Sequence, residues 1–157
     1  MIRVAATLAL AGAAGCGGSI CGTDEATVTR VIDGDTIELD NGTRVRYLLV
    51  DTPEVSGGGD CYGDNAKTFN EDLVLNKRVS LHFDVECTDH FGRTLAYVSV
   101  DGQEVNTLII QRGYGCVLHI PPNGEARVED FERLELDAKN ARRGLWGACN
   151  PLPPACT

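Results

Sequence analysis

The fold and the site of this protein are decided by two stretches, Val31-Ile-Asp-Gly-Asp-Thr-Ile-Glu38 and Arg46-Tyr-Leu-Leu-Val-Asp-Thr-Pro-Glu54. Both are apolar and β-branched, as strands are, but charged residues interrupt them, namely Asp33, Asp35, Glu38, Arg46, Asp51 and Glu54. Acids are rare on strands that pack a core, because a buried charge without a partner is strongly destabilising. Acids clustered at strand ends therefore indicate a functional site.

A third stretch, Asp89-His-Phe-Gly-Arg93, places another arginine directly after a glycine turn. Several carboxylates together suit Ca²⁺, which takes roughly 6 to 8 oxygen ligands. Arginines beside them indicate an anionic ligand, since a guanidinium stays charged and donates in a fork that matches two phosphate oxygens. The three stretches together predict a calcium site with an anionic partner.

In this order and at this spacing, the three stretches resemble the signatures of the staphylococcal nuclease-like (thermonuclease) family, which are V-I-D-G-D-T, an arginine followed by V-D-T-P-E, and D-x-x-G-R. The resemblance runs from about Thr27 to Gly147. It implies an α+β OB-fold, a five-stranded β-barrel with three packed helices. It also implies a Ca²⁺-dependent endonuclease that hydrolyses phosphodiester bonds of DNA and RNA and leaves 3′-phosphate ends. We expect a monomer that prefers single strands.

The resemblance also implies which residues hold the metal. Asp35 and Asp51 are the expected Ca²⁺ ligands, with the carbonyl of Thr52 as a third. Alternatively, the two acids cap turns or pair with arginines. Asp33 either reaches the metal through a water molecule or only shapes the bend.

Glu54 is the expected general base, since it lies three residues after a metal ligand, where one water molecule could contact both. Alternatively, it caps the loop that follows or only holds metal-bound water. Arg46 and Arg93 are expected to bind the phosphate, with ion pairs to surface acids as the alternative. Asp89 is expected to orient Arg93 or its turn.

One position departs from the staphylococcal pattern. Before Pro-Asn that relative has a Tyr-x-Tyr pair near the nucleotide, whereas this chain has Leu118-His119-Ile120. The aromatic clamp is therefore missing or rebuilt, which leaves base preference open. Phe91 occupies the turn that contacts the base in the family and is a candidate for stacking. The histidines lack the spacing of a zinc site and are expected at the rim or in solvent.

Periodicity and turn residues predict the elements. A strand from Thr27 to Leu39 is expected to bend at Asp33-Gly34, with a hairpin turn at Asn41-Gly42. Further strands are expected at Thr43 to Val50, Val79 to Val85 and Thr94 to Val100. Helices are expected at Asp64 to Leu75, capped by Asp64, at Asn106 to Arg112 and at Glu125 to Arg143. These elements fit a small barrel with helices outside it. The tail from Asn150 is Pro-rich and expected to be extended.

The first fifteen residues are apolar apart from Arg3 and match the core of an export signal, which is too short to span a bilayer. Ala13-Ala14-Gly15-Cys16 resembles a bacterial lipobox, so we expect a signal peptide over 1–15 and lipidation of Cys16, with the outer membrane favoured. Residues 16–26 would then be a tether, 27–147 the nuclease domain and 148–157 the tail. The alternative is secretion with Cys16 as a free or intermolecular thiol.

The chain has seven cysteines, and lipidation of Cys16 would leave six for three disulfides. We expect Cys61 to pair with Cys87, because both flank loops of the site. Cys116 with Cys149 would then attach the last helix to the barrel, and Cys21 with Cys156 would join the tails. Six cysteines allow fifteen pairings, so this set is a hypothesis.

The charge balance argues against tight binding of nucleic acid. Without Arg3 the chain has 13 basic residues against 23 acidic ones, whereas nucleic-acid binders normally carry a basic surface. Catalysis is still possible, because a metal ion and local arginines can reverse the field inside a site. Two other functions stay open, a catalytically silent OB-type binding module and a Ca²⁺-binding structural lipoprotein of the envelope. The complete set of acids and arginines favours the enzyme over both.

Overall fold

A computed structural model describes residues 20–157 of the chain. The signal peptide expected over 1–15 and the lipidated Cys16 lie outside these residues. Within them, no helix is both long enough and apolar enough to cross a membrane.

Five strands form a closed barrel. They are β1 (Glu25–Val31), β2 (Thr36–Leu39), β3 (Arg44–Tyr47), β4 (Arg78–His82) and β5 (Thr94–Val100). Neighbours pair antiparallel in the order β3-β2-β1-β4-β5, and a parallel pairing of β3 with β5 closes the ring. A short strand β6 (Gln103–Glu104) pairs antiparallel with the end of β5, outside the barrel. The predicted α+β OB-fold with a five-stranded barrel is confirmed.

Three main helices pack around this barrel, α1 (Gly63–Val74), α2 (Val105–Arg112) and α3 (Val128–Asn140). A single turn, α4 (Leu145–Ala148), follows them. The core fills the barrel with alternating strand residues such as Val28, Ile37 and Val45, and Phe131 of α3 covers it. Asn106 joins α2 to strand β5 and to the residue that follows β3, because its side chain accepts from the amide of Val98 and donates to the carbonyl of Leu48, each at 2.9 Å.

The expected bend at Asp33-Gly34 is instead a hairpin turn. Strands β1 and β2 pair antiparallel with Val31 opposite Ile37, and the amide of Ile32 donates to the carbonyl of Thr36 at 2.9 Å. The turn can pack this tightly because residue 34 is glycine, where an added Cβ would lie 2.7 Å from Oγ1 of Thr52. The hairpin turn predicted at Asn41-Gly42 is confirmed between β2 and β3.

The ends of four elements differ from the prediction. Asp64 does not cap α1, because the cap position is Tyr62, which is left-handed at φ 75° and makes no capping hydrogen bond with its side chain. Helix α3 begins at Val128 and ends at Asn140, inside the expected range, and the positive φ of 51° at Arg142 prevents it from continuing to Arg143. The tail ends in a 3-10 helix (Pro154–Cys156) and is not fully extended. Strand β4 ends at His82, so Val85 is 68% exposed.

All three expected disulfide pairings are wrong. The bonds join Cys21 to Cys87, Cys61 to Cys149 and Cys116 to Cys156. The segment before β1 runs beside β4, since Leu81 donates to the carbonyl of Asp24, and this places Cys21 near Cys87. The turn of α4 brings Cys149 to the start of α1. Pairing depends on which segments meet in space, and the order of cysteines along the chain does not contain that information.

Candidate active site

The three motif stretches meet at one cleft of about 250 Å³. It is lined by residues from all three motifs, namely Asp33, Asp35, Arg46, Asp51, Thr52, Pro53, Glu54, Phe91 and Arg93. The first hairpin turn supplies Asp33 and Asp35, β3 and the segment after it supply Arg46 to Glu54, and the turn before β5 supplies Arg93. Because β3 pairs with both β2 and β5, closing the barrel brings these stretches together.

Arg46 lies between two of the acids at the base of the cleft. Its Nη1 is 3.1 Å from Oδ1 of Asp35, and its Nη2 donates to Oδ1 of Asp51 at 2.7 Å. Nη1 also donates to the carbonyl of Val50. The ion pairs that sequence reasoning left open as an alternative are therefore present. Nε of Arg46 has no acceptor among the described residues, so the guanidinium can still donate to a ligand.

Asp35 is the most buried of these acids, with 4% of its surface exposed. Its Oδ2 accepts from the amide of Thr52 at 2.8 Å and from the hydroxyl of Thr52 at 3.0 Å. Its Oδ1 accepts from the hydroxyl of Thr36 at 3.0 Å. These contacts hold the carboxylate in one orientation and tie the first hairpin to the segment after β3 that carries Asp51.

The cleft holds more negative than positive charge. Burial and, after it, the charge of the neighbouring Asp35 together raise the pKa of Asp33 to about 6. Burial also raises the pKa of Asp51, although Arg46 opposes this effect. The two arginines therefore do not neutralise the four acids Asp33, Asp35, Asp51 and Glu54.

Oxygen donors in excess of positive charge fit a hard cation such as Ca²⁺. Among residues 20–157, no three Asp, Glu, His or Cys side chains are arranged as a metal site by themselves. The carboxylates of Asp35 and Asp51 line this cleft and could hold a cation together with a backbone carbonyl and water.

Asp89 fixes the position of Arg93. Its Oδ2 accepts from Nε of Arg93 at 2.7 Å, and its Oδ1 accepts from the amides of Phe91 and Arg93. Burial raises the pKa of Asp89, but these hydrogen bonds from Arg93 and Phe91 outweigh it and leave the pKa lowered. Nη1 and Nη2 of Arg93 have no hydrogen-bond partner in the described part of the chain, so both ends of the fork are available.

Glu54 is exposed and its carboxylate has no partner in the part of the chain that the structure describes. Its backbone is held in place instead. The amide donates to Oδ2 of Asp60 at 3.2 Å, and the carbonyl accepts from the amide of Asp60 at 2.7 Å. Gly63 packs so closely on this segment that an added Cβ would lie 2.4 Å from the carbonyl of Glu54. The side chain is free to contact a ligand while its backbone is fixed.

Sequence reasoning missed three supports of the site. Asp60 holds the backbone of Glu54, and Cys116 pairs with Asp51 through two 2.8 Å hydrogen bonds between their main chains. Buried Asn70 of α1 donates to the carbonyl of Asp33 at 3.1 Å. The position of Asn70 on the apolar face of α1 was a usable signal, because a buried amide needs partners. Nothing in the sequence indicates the other two.

Comparison with known proteins agrees with this geometry. The family profile described as Staphylococcal nuclease homologue matches residues 44–148, which run from β3 to α4 and include Arg46, Asp51, Glu54 and Arg93. The chain belongs to the staphylococcal nuclease family.

Several relatives of the chain are nucleases by name. Endonuclease YncB of Bacillus subtilis (strain 168) is 38% identical over 127 residues, which cover 76% of this chain and 60% of YncB. The SPbeta prophage-derived endonuclease YokF of the same strain is 35% identical over 129 residues, covering 78% of this chain and 44% of YokF. Thermonuclease of Staphylococcus intermedius is 36% identical over 125 residues, covering 76% and 74%. The chain thus spans less than two thirds of the length of YncB and YokF.

This member of the staphylococcal nuclease family has a second, larger cavity beside the cleft. It measures about 420 Å³ and is lined mainly by apolar side chains, including Leu49, Phe91, Leu118 and Ile120. Phe91 is 72% exposed and Ile120 66% exposed at its rim. Aliphatic residues therefore occupy the position of the staphylococcal Tyr-x-Tyr pair, and the pocket is present without that aromatic clamp.

Proposed function

We propose that this protein is a Ca²⁺-dependent endonuclease that hydrolyses phosphodiester bonds of DNA and RNA and leaves 3′-phosphate ends. The observation that supports it best is that carboxylates and arginines line the same cleft. Arg93 presents both free ends of its guanidinium into a space that also holds Asp35, Asp51 and Glu54. A binding site for phosphate alone would not need these acids, and a cation site alone would not need the arginines.

Asp35, Asp51 and the carbonyl of Thr52 would hold the Ca²⁺. When bound, the ion supplies positive charge where negative charge develops on the phosphate. The hydrogen bonds from Thr52 and Thr36 keep Asp35 oriented for this task. Asp33, beside them, accepts a hydrogen bond from the amide of Asp35 at 3.1 Å and shapes the turn.

Glu54 is the proposed general base. Its carboxylate would take a proton from a water molecule as the water oxygen bonds to phosphorus. The bond from phosphorus to the 5′-oxygen would break in line, and the 5′-oxygen would take up a proton from solvent. The Glu54 carboxylate is exposed and has no ion-pair partner among the described residues, so a water molecule in the cleft can reach it. Arg46 and Arg93 would donate to the phosphate oxygens, and Asp89 would hold Arg93 in place.

We propose that the apolar cavity with Phe91 at its rim receives the base next to the cleaved bond, that single strands are preferred, and that the enzyme acts as a monomer. We further propose that residues 1–15 direct export and that Cys16 carries the lipid anchor in the cell envelope. Incorporation of labelled fatty acid into the wild type but not into Cys16→Ser would support the anchor, and equal labelling would contradict it.

Cleavage by the oxidised protein provides the main test. Single-stranded DNA and RNA are incubated with Ca²⁺ or with a chelator, using the wild type, Glu54→Gln and Arg93→Ala. Each variant is expected to lose roughly 10²- to 10⁴-fold in rate, since one removes a general base and the other a donor to the phosphate. Arg133→Ala, which removes an exposed arginine of α3, is the matched control and should cleave normally.

End-group analysis of the products checks the 3′-phosphate. Cleavage that persists in the chelator would contradict the Ca²⁺ requirement. If the wild type binds strands but cleaves none, the binding-module function replaces the enzyme. If Ca²⁺ raises the melting temperature while strands neither bind nor are cleaved, the structural lipoprotein replaces both.

A further inference from the structure

Three arginines differ from every other described cation in this chain. Among residues 20–157, ten of the thirteen lysines and arginines lie within 4.0 Å of a carboxylate, as expected where acids outnumber bases. The three that do not are Arg112, Arg142 and Arg143. All three lie where the ends of α2 and α3 meet, so the unpaired positive charge of the described chain is concentrated in one place.

Close glycine contacts hold these arginines together. Arg112 ends α2 and precedes Gly113, while Arg143 precedes Gly144. The two glycines pack so tightly that an added Cβ on Gly144 would lie 2.1 Å from the carbonyl of Gly113. Nη1 of Arg143 donates to the carbonyl of Gln111 at 3.1 Å. The negative ends of two helices stabilise cations here, but they leave the outer guanidinium nitrogens unused.

A groove of about 560 Å³ runs along these arginines, and we call it the distal groove. Its lining includes Arg112 and Arg143 and no carboxylate, unlike the catalytic cleft. It also includes three half-buried rings, of which Phe69 and Tyr114 stack at 4.1 Å and Tyr62 lies 5.4 Å from Tyr114. Basic residues beside aromatic rings are the combination that binds single strands, because phosphates pair with the charges and bases stack on the rings.

The distal groove adjoins the catalytic cleft. Tyr62 precedes Gly63, whose Cβ position lies 2.4 Å from the carbonyl of Glu54. Tyr114 precedes Gly115, whose Cβ position lies 2.8 Å from the carbonyl of Asp51. The Cys61–Cys149 disulfide joins the segment of Tyr62 to the turn that follows Arg143. The two walls of the groove are thus linked to each other and to the backbone of the site.

We propose that the distal groove binds the part of a single-stranded nucleic acid that extends beyond the cleaved bond. Phosphates contact Arg112 and Arg143, and a base packs against Tyr62 or Tyr114. This inference rests on the proposed nuclease function and adds a second contact region to it. It also explains how an acidic protein holds a polyanion, because the unpaired arginines lie along the path of the nucleic acid and are not spread over the protein surface.

The test compares long and short substrates. The full oxidised chain is assayed on a dinucleotide and on a strand of about 20 nucleotides, longer than the roughly 4 to 16 that one OB-fold covers. In Arg112→Ala/Arg143→Ala, the ratio of kcat/KM for the long strand to that for the dinucleotide should fall about tenfold. Arg78→Ala/Arg133→Ala removes the same charge from exposed, ion-paired positions and should keep the ratio within about twofold of the wild type.

Binding is measured without cleavage by fluorescence anisotropy of the long strand in a Glu54→Gln background. Each phosphate contact to a single strand contributes about 0.7 to the slope of log K against log salt concentration, so the double alanine variant should lose about 1.4. Arg112→Lys/Arg143→Lys keeps the charge and should restore the slope. This measurement does not depend on turnover, so it tests the groove even if no substrate is cleaved.

Three results would contradict the proposal that the distal groove binds nucleic acid. One is an unchanged slope and an unchanged ratio in a folded Arg112→Ala/Arg143→Ala protein. Another is an equal loss in the Arg78→Ala/Arg133→Ala control, which would mean that only net charge matters. The third is normal strand binding by the double alanine variant together with lost sedimentation on anionic phospholipid vesicles, which would make the surface a membrane contact. A wild type that cleaves neither substrate would instead contradict the nuclease function.

Discussion

Arg46 connects the two acids that would hold the cation. It contacts both Asp35 and Asp51 and is largely buried. A buried ion pair is stable only when its members are well hydrogen-bonded, and here Thr36, Thr52 and the carbonyl of Val50 complete the set. Asp33, next to them, has no cation as close, and this leaves a destabilising charge at the site.

Removing that charge should stabilise the metal-free protein. The folded-state pKa of Asp33 is raised to about 6, above its unfolded value, so ionising Asp33 costs stability as the pH rises from about 4 to 6. Asp33→Asn keeps the acceptor for the amide of Asp35 and should raise the free energy of unfolding at pH 8 by roughly 2–3 kcal/mol. At pH 4, where Asp33 is protonated in the folded protein, the gain should nearly vanish.

Urea unfolding at both pH values, in the presence of a chelator, measures this difference. Asp40→Asn, at an exposed acid outside the cleft, serves as the control and should change little. A loss of stability at pH 8, or an equal gain at both pH values, would contradict the claim that ionised Asp33 destabilises the metal-free protein.

At the scale of elements, α1 supports the first hairpin turn from behind. Asn70 is fully buried, and its side chain accepts from the hydroxyl of Tyr47 at 2.9 Å and donates to the carbonyl of Asp33 at 3.1 Å. One amide therefore joins the helix, strand β3 and the turn of the site. Gly34 and Ala66 make this close approach possible, because an added Cβ on Gly34 would lie 2.8 Å from Cβ of Ala66.

A double-mutant cycle measures this link. Asn70→Ala should lower the free energy of unfolding by roughly 2–4 kcal/mol, because it leaves the buried hydroxyl of Tyr47 and the carbonyl of Asp33 without partners. Adding Tyr47→Phe removes the unpaired hydroxyl, so the double variant should be less destabilised than the sum of the single variants by about 1–2 kcal/mol.

Thr68→Ala, on the exposed face of α1, is the control for helix propensity. Additive effects of Asn70→Ala and Tyr47→Phe would show that the two side chains are not coupled. In that case the position of the turn depends on β1 and β2 alone.

At the scale of the whole molecule, three disulfides close long loops around a small barrel. Cys61–Cys149 spans 88 residues and Cys116–Cys156 spans 40. A cross-link of this length stabilises mainly by restricting the unfolded chain, by about 4–5 kcal/mol in the loop-entropy model. Two of the bonds also adjoin the site, because Cys116 pairs with the backbone of Asp51 and Cys61 precedes Tyr62.

Loss of Cys61–Cys149 should therefore affect both stability and the substrate range. Cys61→Ser/Cys149→Ser should be destabilised by about 2–5 kcal/mol. It should also lose activity on long strands more than on a dinucleotide, since the bond joins the walls of the distal groove. Cys21→Ser/Cys87→Ser removes a bond that spans 66 residues away from the groove, and it is the matched control. Equal losses on both substrates would show that the bond supports stability alone.

The sequence determined the barrel, the hairpin at Asn41-Gly42 and the identity of the residues that meet in the cleft. Alternation along strands and turn chemistry are local, so they can be read from neighbouring residues. The cap of α1 was mispredicted because Tyr62 and Gly63 are set by contact with Glu54, which lies outside the helix. The turn at Asp33-Gly34 was mispredicted because its tightness depends on Thr52 and Ala66.

Long-range packing sets the disulfide pairing, the ion pairs of Arg46 and the proximity of Arg112 to Arg143. Each of these depends on segments that are distant along the chain and adjacent in space. Closure of β3 on β5 and the packing of α3 on α2 create that adjacency. The sequence therefore specifies the residue types of the site. Long-range packing sets which charged side chains of the site are paired and which remain available for a ligand.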